Sequence, residues 1–277
     1  MISLASLYRP VTGTPFQSDE TYREAAPCAA LAPCIRCFWG SEGPQYDRPG
    51  PGGIVIPDTC MDIIFRIDHV RQRVTADFCA LDESSFLTPA SEGRSGGFSA
   101  TFAIRFHAWT ACLFAEDSLR GSVNRQYPAE QFFRRIVGAL APVLPEARTL
   151  TDAVRLAEPV LLSLLGQRTP DAAVLNAIHH ILRTDGRARV GDVAAALALS
   201  PRQLERRFDA AMGLSPKALA SLMRYQLLWQ DMLFSPRFSA LDAVDRFGYT
   251  DQAHLLNDFR RRHLMTPREA LALARTR

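Results

Sequence analysis

The fold of the C-terminal part of this chain is indicated most clearly by residues 191–217, GDVAAALALSPRQLERRFDAAMGLSPK. Its first half is a short alanine-rich segment, a composition that favours a helix. Ser200 is a preferred helix N-cap and Pro201 suits the first helical position, so a second helix is predicted to begin there. Two helices separated by about three residues are typical of a helix-turn-helix.

The same pattern returns 51 residues later, in residues 242–268, DAVDRFGYTDQAHLLNDFRRRHLMTPR. Phe208 aligns with Phe259, and the cap Ser200 aligns with Asp251. Residues 216–234, between the two units, are apolar over most of a helix circumference and are predicted to be buried. We therefore predict two helix-turn-helix units at a fixed separation, as contact with two major-groove segments about 34 Å apart requires.

The second helix of each unit is predicted to turn a polar face outward. A helix advances about 100° per residue, which places Leu204 and Phe208 on the inner face of one helix and Leu255 and Phe259 on that of the other. The outward residues that we predict to contact DNA are Arg202, Glu205, Arg206, Gln252, Ala253, Leu256, Asn257, Arg260 and Arg261, with Arg262 on the same side.

These outward side chains have the chemistry of base recognition. Arginine pairs with guanine, glutamine and asparagine pair with adenine, and small apolar groups meet the thymine methyl. At least half of protein–DNA hydrogen bonds go to the backbone, so each outward arginine contacts either a base or a phosphate. Leu256 has two interpretations at this stage, as a DNA contact or as a peripheral core residue.

The positive charge of the chain is concentrated in its C-terminal part. The whole chain has a formal charge of +3. Residues 171–277 contain sixteen basic and eleven acidic residues, net +5, whereas residues 1–170 contain sixteen and eighteen, net −2. A basic part of this kind is suited to a polyanion, although a solvated basic face is the plainer alternative.

Residues 247–269, FGYTDQAHLLNDFRRRHLMTPRE, are similar to the signature of the AraC/XylS family of bacterial transcription regulators. The glycine-aromatic turn, the acidic cap Asp251, the inward Phe259 and the Thr-Pro pair at 266–267 carry the resemblance, which extends over residues 171–277. It implies a transcription regulator, typically an activator, that places two recognition helices in adjacent major-groove segments of double-stranded DNA. It further implies a homodimer and RNA polymerase as a partner.

The first half of the chain is predicted to be rich in strands. Strand-forming stretches bounded by turn residues occupy residues 34–39, 53–56, 61–67, 74–78 and 98–106, with a proline- and glycine-rich loop at 41–53. Helical periodicity follows at 108–115, 129–144 and 151–165. Residues 166–170, which begin with a glycine and end with a proline that interrupt helices, are the clearest candidate for a domain boundary.

Three stretches of this half, residues 31–39, 56–65 and 102–106, resemble an uncharacterised sensory domain that precedes AraC-type DNA-binding domains. The resemblance implies a β-barrel that binds a small-molecule effector and carries dimerisation helices. The residues predicted to line its pocket are Trp39, Asp58, Cys60, Asp62, Arg105 and Trp109. Plainer interpretations stay open: Trp39 as core, Asp58 as a turn cap, and Asp62 as the exposed face of a strand.

We therefore predict an α+β multidomain protein. Residues 1–166 form a β-barrel or sandwich-like, cupin-like domain with dimerisation helices, residues 167–170 a linker, and residues 171–277 an all-α DNA-binding domain of two helix-turn-helix units joined by a long helix. The N-terminus has neither a basic region nor an apolar core of a signal peptide, and no run of about 18 apolar residues occurs. We expect a cytoplasmic protein with no membrane partner.

The cysteines offer an alternative function. Cys28, Cys34 and Cys37, with Cys60 as a fourth ligand, could present thiolates to a soft metal and make the protein a metal or redox sensor. Cys34 and Cys37 lie in a predicted strand, however, where an odd separation sends their side chains to opposite faces. Structural cysteines are therefore favoured, and no metal or cofactor is predicted.

Enzymatic function is not expected. No nucleophile elbow, phosphate-binding loop or dinucleotide fingerprint occurs, and the N-terminal half has only two histidines, His69 and His107, far apart. An enzyme or repair protein carrying a DNA-targeting module is the more distant alternative.

Overall fold

A computed structural model describes residues 4–12, 22–41, 54–87, 99–235 and 237–275. The strands within these ranges are β1 Tyr22–Ala25, β2 Ile35–Ser41, β3 Ile54–Val55, β4 Cys60–Asp68, β5 Arg73–Cys79, β6 Phe86–Leu87, β7 Ser99–His107 and β8 Gln126–Pro128. The helices are α1 Leu4–Leu7, α2 Ala108–Ala111, α3 Glu130–Leu140, α4 Leu150–Leu164, α5 Ala172–Arg183, α6 Val190–Ala196, α7 Pro201–Met212, α8 Pro216–Phe234, α9 Ala240–Phe247, α10 Gln252–His263 and α11 Pro267–Arg275.

The N-terminal part is built on a six-stranded antiparallel sheet in the order β1-β2-β7-β4-β5-β8. The central pair is β4 with β7, which places Asp62 opposite Arg105 and Phe65 opposite Phe102. Side chains alternate across a strand, so the sheet has an aromatic face and a polar face. Strands β3 and β6 form a separate two-stranded sheet. The predicted α+β organisation, a strand-rich N-terminal domain followed by an all-α domain, is confirmed.

The aromatic face is covered by helices. Phe78 packs edge-on against Phe133 of α3, with ring centroids 4.9 Å apart, and Phe106 stacks on the same ring at 5.9 Å. Helix α4 lies against β1 and β2. Burying aromatic rings in this way supplies most of the driving force for joining sheet and helices.

Two of the three helices predicted in the first half are shorter than expected, whereas the third, predicted at 151–165, is observed as α4 Leu150–Leu164. The predicted helix at 108–115 ends at Ala111 and continues as turns. The predicted helix at 129–144 ends at Leu140, and a short 3-10 turn follows at Leu144–Glu146. Pro142 and Pro145 explain the second difference, because proline lacks the amide hydrogen that a continuing helix needs.

The helical part confirms the predicted repeat of helix pairs. Helices α6 and α7 form one pair, α9 and α10 the other, and α8 lies between them. Tyr225 and Trp229 of α8 are fully buried. Phe259 of α10 contacts both rings at centroid distances of 5.7 Å, so the long helix is a core element, as its apolar circumference predicts.

The two parts of the chain pack against each other. Gln226 of α8 is fully buried, and its side-chain oxygen accepts a 2.8 Å hydrogen bond from Val11 N. Its side-chain nitrogen donates a 2.6 Å hydrogen bond to the Pro57 carbonyl oxygen. Helix α1 lies against α5, and α2 lies against α7. The division into residues 1–166, 167–170 and 171–277 stays a prediction, and the predicted loop lies outside the described residues from residue 42 onward. In the described ranges, no helix is long and apolar enough to cross a membrane.

Candidate nucleic-acid interface

The first helix pair has the local geometry of a helix-turn-helix. Ser200 caps α7 by accepting a hydrogen bond from Gln203 N, and the Gln203 side chain accepts one from Ser200 N, a reciprocal capping box. Pro201 occupies the first turn, where its missing amide hydrogen costs nothing. The helix ends at Gly213, which adopts a left-handed φ of 70°. These local signals fix where the recognition helix begins and ends.

The faces of α7 separate as its periodicity predicts. Leu204 and Phe208 are fully buried. Arg202, Glu205 and Arg206 are exposed on the other side. Three polar side chains on one exposed helix face can reach base edges or phosphates of DNA.

The second helix pair uses a different turn. Gly248 ends α9 with a left-handed φ of 65°, and a Cβ atom there would lie 2.8 Å from Arg187 Cδ. Asp251 caps α10 by accepting a 2.7 Å hydrogen bond from His254 N. Gln252, Ala253 and Asn257 are exposed beyond this cap. The orientation of α10 is therefore set at its N-terminus, the end that recognition helices direct to base edges.

A buried carboxylate anchors α10. Asp258 accepts a 3.1 Å hydrogen bond from the Tyr249 hydroxyl and a 2.7 Å hydrogen bond from Arg261 Nη2. Arg224 of α8 lies over the Tyr249 ring, 4.5 Å from its centroid, and 3.8 Å from the Asp258 carboxylate. A buried charge that is paired on several sides holds the turn, α8 and α10 in one arrangement.

A family profile described as a helix-turn-helix domain matches residues 193–272, which include both helix pairs. Residues 193–272 therefore belong to a helix-turn-helix domain. A second profile, for a domain of unknown function, matches residues 23–128 of the sheet domain. No curated protein matches the chain.

Several solved structures of ToxT from Vibrio cholerae are similar to this chain over most of their length. The structure from strain O395 has 10% identity and a TM-score of 0.41, covering 92% of this chain and 99% of that one. A second crystal form has 11% identity and a TM-score of 0.42 with the same coverage. The fatty-acid-bound protein of strain SCE256 has 10% identity and a TM-score of 0.39, covering 93% and 97%. Identities near 10% do not define which residues correspond.

One arginine that the sequence places on the outward face of α10 is buried in the structure. Arg262 is only 4% exposed. It donates a 2.9 Å hydrogen bond to the Glu83 carbonyl of the sheet domain and a 2.8 Å hydrogen bond to Ser221 Oγ of α8. Arg262 therefore joins elements of the fold and does not face DNA, because tertiary packing covers this flank of α10.

The other predicted contacts of α10 are exposed. Arg260 and Arg261 lie at the surface, the latter tied to Asp258. Leu256 is 43% exposed, which removes its interpretation as a core residue. An exposed leucine beside Asn257 is placed to contact a thymine methyl. Which of these residues touch DNA stays a prediction.

Four of the predicted effector residues lie together on the polar face of the sheet. Asp62 and Arg105 form a bidentate ion pair, in which Arg105 Nε lies 2.9 Å from Asp62 Oδ1 and Nη2 lies 2.8 Å from Oδ2. The Arg105 guanidinium lies 5.6 Å from the Trp39 ring centroid, and Cys60 shares the face two residues from Asp62. Asp58, just before β4, accepts a 2.7 Å hydrogen bond from Cys60 N. Burial raises the pKa of Asp58 to about 6, against the opposing effect of Arg105.

This group contains donors without acceptors. Arg105 Nη1 and Trp39 Nε1 are buried and find no hydrogen-bond partner among the described residues. Unsatisfied buried donors are costly, and their presence side by side is typical of a site that receives an acceptor from outside.

Trp109 does not join this group. It lies on α2, is 3% exposed and stacks on His107 with ring centroids 5.0 Å apart. Its outer edge lines a cleft beside α7. Two arginines that also line that cleft, Arg120 and Arg168, could not be predicted from the sequence, because an isolated surface arginine belongs to no pattern.

The cysteines do not form a thiolate site. Burial raises the pKa of Cys37 to about 12 and that of Cys60 well above its usual value, so both thiols are protonated at neutral pH. Cys34 is buried in the core, while Cys37 lies on the other face of the sheet beside Arg105. Within the described ranges, no three His, Cys, Asp or Glu residues are grouped to hold a metal ion. The raised pKa values of Cys37 and Cys60 and the opposite faces of Cys34 and Cys37 disfavour a shared thiolate site built from these residues.

Proposed function

We propose that this protein is a sequence-specific DNA-binding transcription regulator whose affinity for DNA responds to a small molecule. The observation that carries the proposal is the pair of capped recognition helices, α7 and α10, joined through the buried helix α8 and each exposing polar side chains on one face. Base contacts are assigned to Arg202, Glu205, Arg206, Gln252, Ala253, Leu256 and Asn257, with Arg260 and Arg261 at the backbone.

The proposal includes a cytoplasmic homodimer that activates transcription through RNA polymerase. These features rest on the resemblance to the AraC/XylS family. Dimerisation is assigned to the helices of the sheet domain. The proposed division at residues 167–170 predicts that a fragment of residues 171–277 folds and binds DNA alone.

The test is fluorescence anisotropy of the full-length protein and of the 171–277 fragment on the DNA upstream of the gene and on random duplex. We expect at least about a thousandfold preference for one upstream site at physiological salt. Equal, steeply salt-dependent binding to every upstream segment and to random duplex would contradict sequence-specific recognition. A fragment that does not fold would contradict the proposed division but leave the proposed function standing.

We propose the polar face of the sheet as the effector site. The Arg105 Nη1 and Trp39 Nε1 donors, which find no partner among the described residues, favour a ligand with a carboxylate or carbonyl group. A thermal-shift screen of small organic acids tests this, with Trp39→Phe as the matched variant because it keeps an aromatic ring against Tyr22 and removes the N–H donor. A compound that raises the melting temperature of the unaltered protein should have a smaller effect on Trp39→Phe. Equal effects on both would place its binding elsewhere.

A further inference from the structure

A cleft of about 570 Å³ separates the sheet domain from α7. Its walls carry four arginines, Arg120 and Arg168 from the N-terminal side and Arg206 and Arg207 from α7, against one carboxylate, Asp171. These lining residues have a formal charge of +3. The cleft therefore attracts anions, and arginine is the side chain best suited to bind phosphate.

Two of the four arginines are already neutralised by ion pairs. Arg120 pairs with Asp209 of α7 and Arg207 with Asp171, each at 2.6 Å. Arg168 donates only to two carbonyl oxygens, those of Cys112 and Glu116, both at 3.3 Å.

Arg206 has no hydrogen bond or ion pair with the part of the chain that the structure describes, and it lies exposed on the rim of the cleft. Arg168 is exposed as well. One positive charge on each wall is thus free to meet an anion.

The sheet domain is held firmly beside the recognition helix at this point. A Cβ atom on Gly213, at the end of α7, would lie 2.6 Å from the Leu119 carbonyl oxygen and 3.1 Å from Ser122 Oγ. The turn at residues 119–122 therefore lies in direct contact with the end of α7. The 2.6 Å ion pair between Arg120 and Asp209 adds a second link between this turn and α7.

The position of the cleft identifies the anion. A helix of about 10–12 Å diameter fills a major groove about 12 Å wide, so a helix in the groove has a phosphate backbone along each flank. Arg206, Arg207 and Ala210 of α7 line the cleft along one such flank. The cleft is open and its arginines are exposed, Arg120 by 58%, whereas small-molecule sites enclose most of their ligand.

We propose that this cleft receives backbone phosphates of the DNA strand that borders the groove read by α7, so that the sheet domain contributes Arg168 directly to DNA binding. The proposal rests on the proposed function, because it requires α7 to enter the major groove. It assigns to the sheet domain a sequence-independent part of the affinity, in addition to effector binding.

The test is the salt dependence of DNA binding by the full-length protein with Arg168→Ala. Loss of one phosphate contact should reduce the slope of log K against log salt by about 0.9, equally on the preferred site and on random duplex. Arg168→Lys should restore most of the slope, because a point charge is sufficient for a phosphate. Arg155→Ala is the matched control, since Arg155 is 74% exposed on α4, outside the cleft, and should leave the slope unchanged.

A second measurement locates the phosphate. Single methylphosphonate substitutions remove one backbone charge at a time from the duplex. One position should weaken binding of the unaltered protein and have no further effect on Arg168→Ala. An unchanged slope in Arg168→Ala, or the absence of any such position, would overturn this inference while leaving the proposed function intact. Failure of the unaltered protein to bind any DNA would overturn both.

Discussion

Arg262 donates a 2.9 Å hydrogen bond to the Glu83 carbonyl oxygen, and its own carbonyl accepts a 2.7 Å hydrogen bond from Ser85 N. The end of the second recognition helix is thereby tied to a loop of the sheet domain. Gln226 makes a similar connection from α8 to Val11 and Pro57. The sheet domain is therefore in direct contact with α8 and α10, and effector control of DNA affinity would act through these contacts.

Arg262→Ala should lower stability and leave the salt dependence of DNA binding unchanged. Its guanidinium is buried beside Asp258, and removing one partner of a buried charged network costs about 3 kcal/mol. Arg260→Ala is the matched comparison, because Arg260 is exposed and should change the salt slope with little loss of stability. Urea unfolding and anisotropy of both variants check this. A reduced slope in Arg262→Ala with normal stability would place Arg262 at the DNA.

Arg206→Ala should weaken binding to the preferred site by about 1–3 kcal/mol and relax discrimination at one base pair, if Arg206 contacts a base. Thermal stability should not change, because Arg206 is exposed and makes no ion pair with the described residues. Anisotropy on duplexes with single base-pair changes measures this. Equal weakening on all duplexes would assign Arg206 to a phosphate.

Asp58→Asn should stabilise the protein at pH 7.5 and have little effect at pH 4. Burial raises the Asp58 pKa to about 6, so the folded state favours the protonated form. Ionisation then costs stability as the pH rises from about 4 through 6, by about 1–3 kcal/mol in total. Urea unfolding at both pH values tests this.

Asp68→Asn is the control for Asp58→Asn. Hydrogen bonds from Arg71 lower the Asp68 pKa, so this exposed carboxylate stabilises the fold in its charged form. Asp68→Asn should therefore bring no gain at pH 7.5. A gain of the same size in both variants would show that burial of Asp58 is not its cause.

Protonation of His263 should lower the stability of the fold as the pH falls below neutral. Burial lowers its pKa to about 4, and its Nδ1 lies 2.7 Å from the Tyr225 hydroxyl. An unfolded histidine titrates near 6.5, so stability is lost as the pH falls from about 6.5 towards 4, by about 2 kcal/mol between pH 7 and 5. The double variant Tyr225→Phe with His263→Leu should lose this part of the pH dependence without leaving a buried hydroxyl unpaired. Identical profiles of unfolding free energy against pH for the unaltered protein and the double variant would refute the assignment of this pH dependence to His263.

Much of the helical domain could be predicted because its signals are local. Ser200 and Asp251 cap the recognition helices by bonding backbone amides three residues away, and the 3.6-residue period turns Phe208 and Phe259 inward. Each effect acts within one or two turns of helix, so it can be recognised from the order of residues alone. Five strands of the sheet domain, β2, β3, β4, β5 and β7, could be predicted for the same reason, whereas the short strands β1, β6 and β8 were not predicted.

Side-chain surroundings that depend on distant parts of the chain could not be predicted. The period of α10 places Arg262 near Arg260 and Arg261, and only the loop at Glu83 and Ser85 buries it. Trp109 lies on α2, apart from the polar face of the sheet that carries Asp62 and Arg105.

Two capped helix pairs, a buried helix between them and a strand-rich first half follow from the order of the residues alone. Tertiary packing determines which arginines are exposed and which anchor the fold. The same packing brings Arg168 of the N-terminal side to a cleft beside Arg206, 38 positions further along the chain. Helix caps and apolar periodicity reflect interactions within a few residues, whereas burial and charge pairing depend on every element that packs nearby.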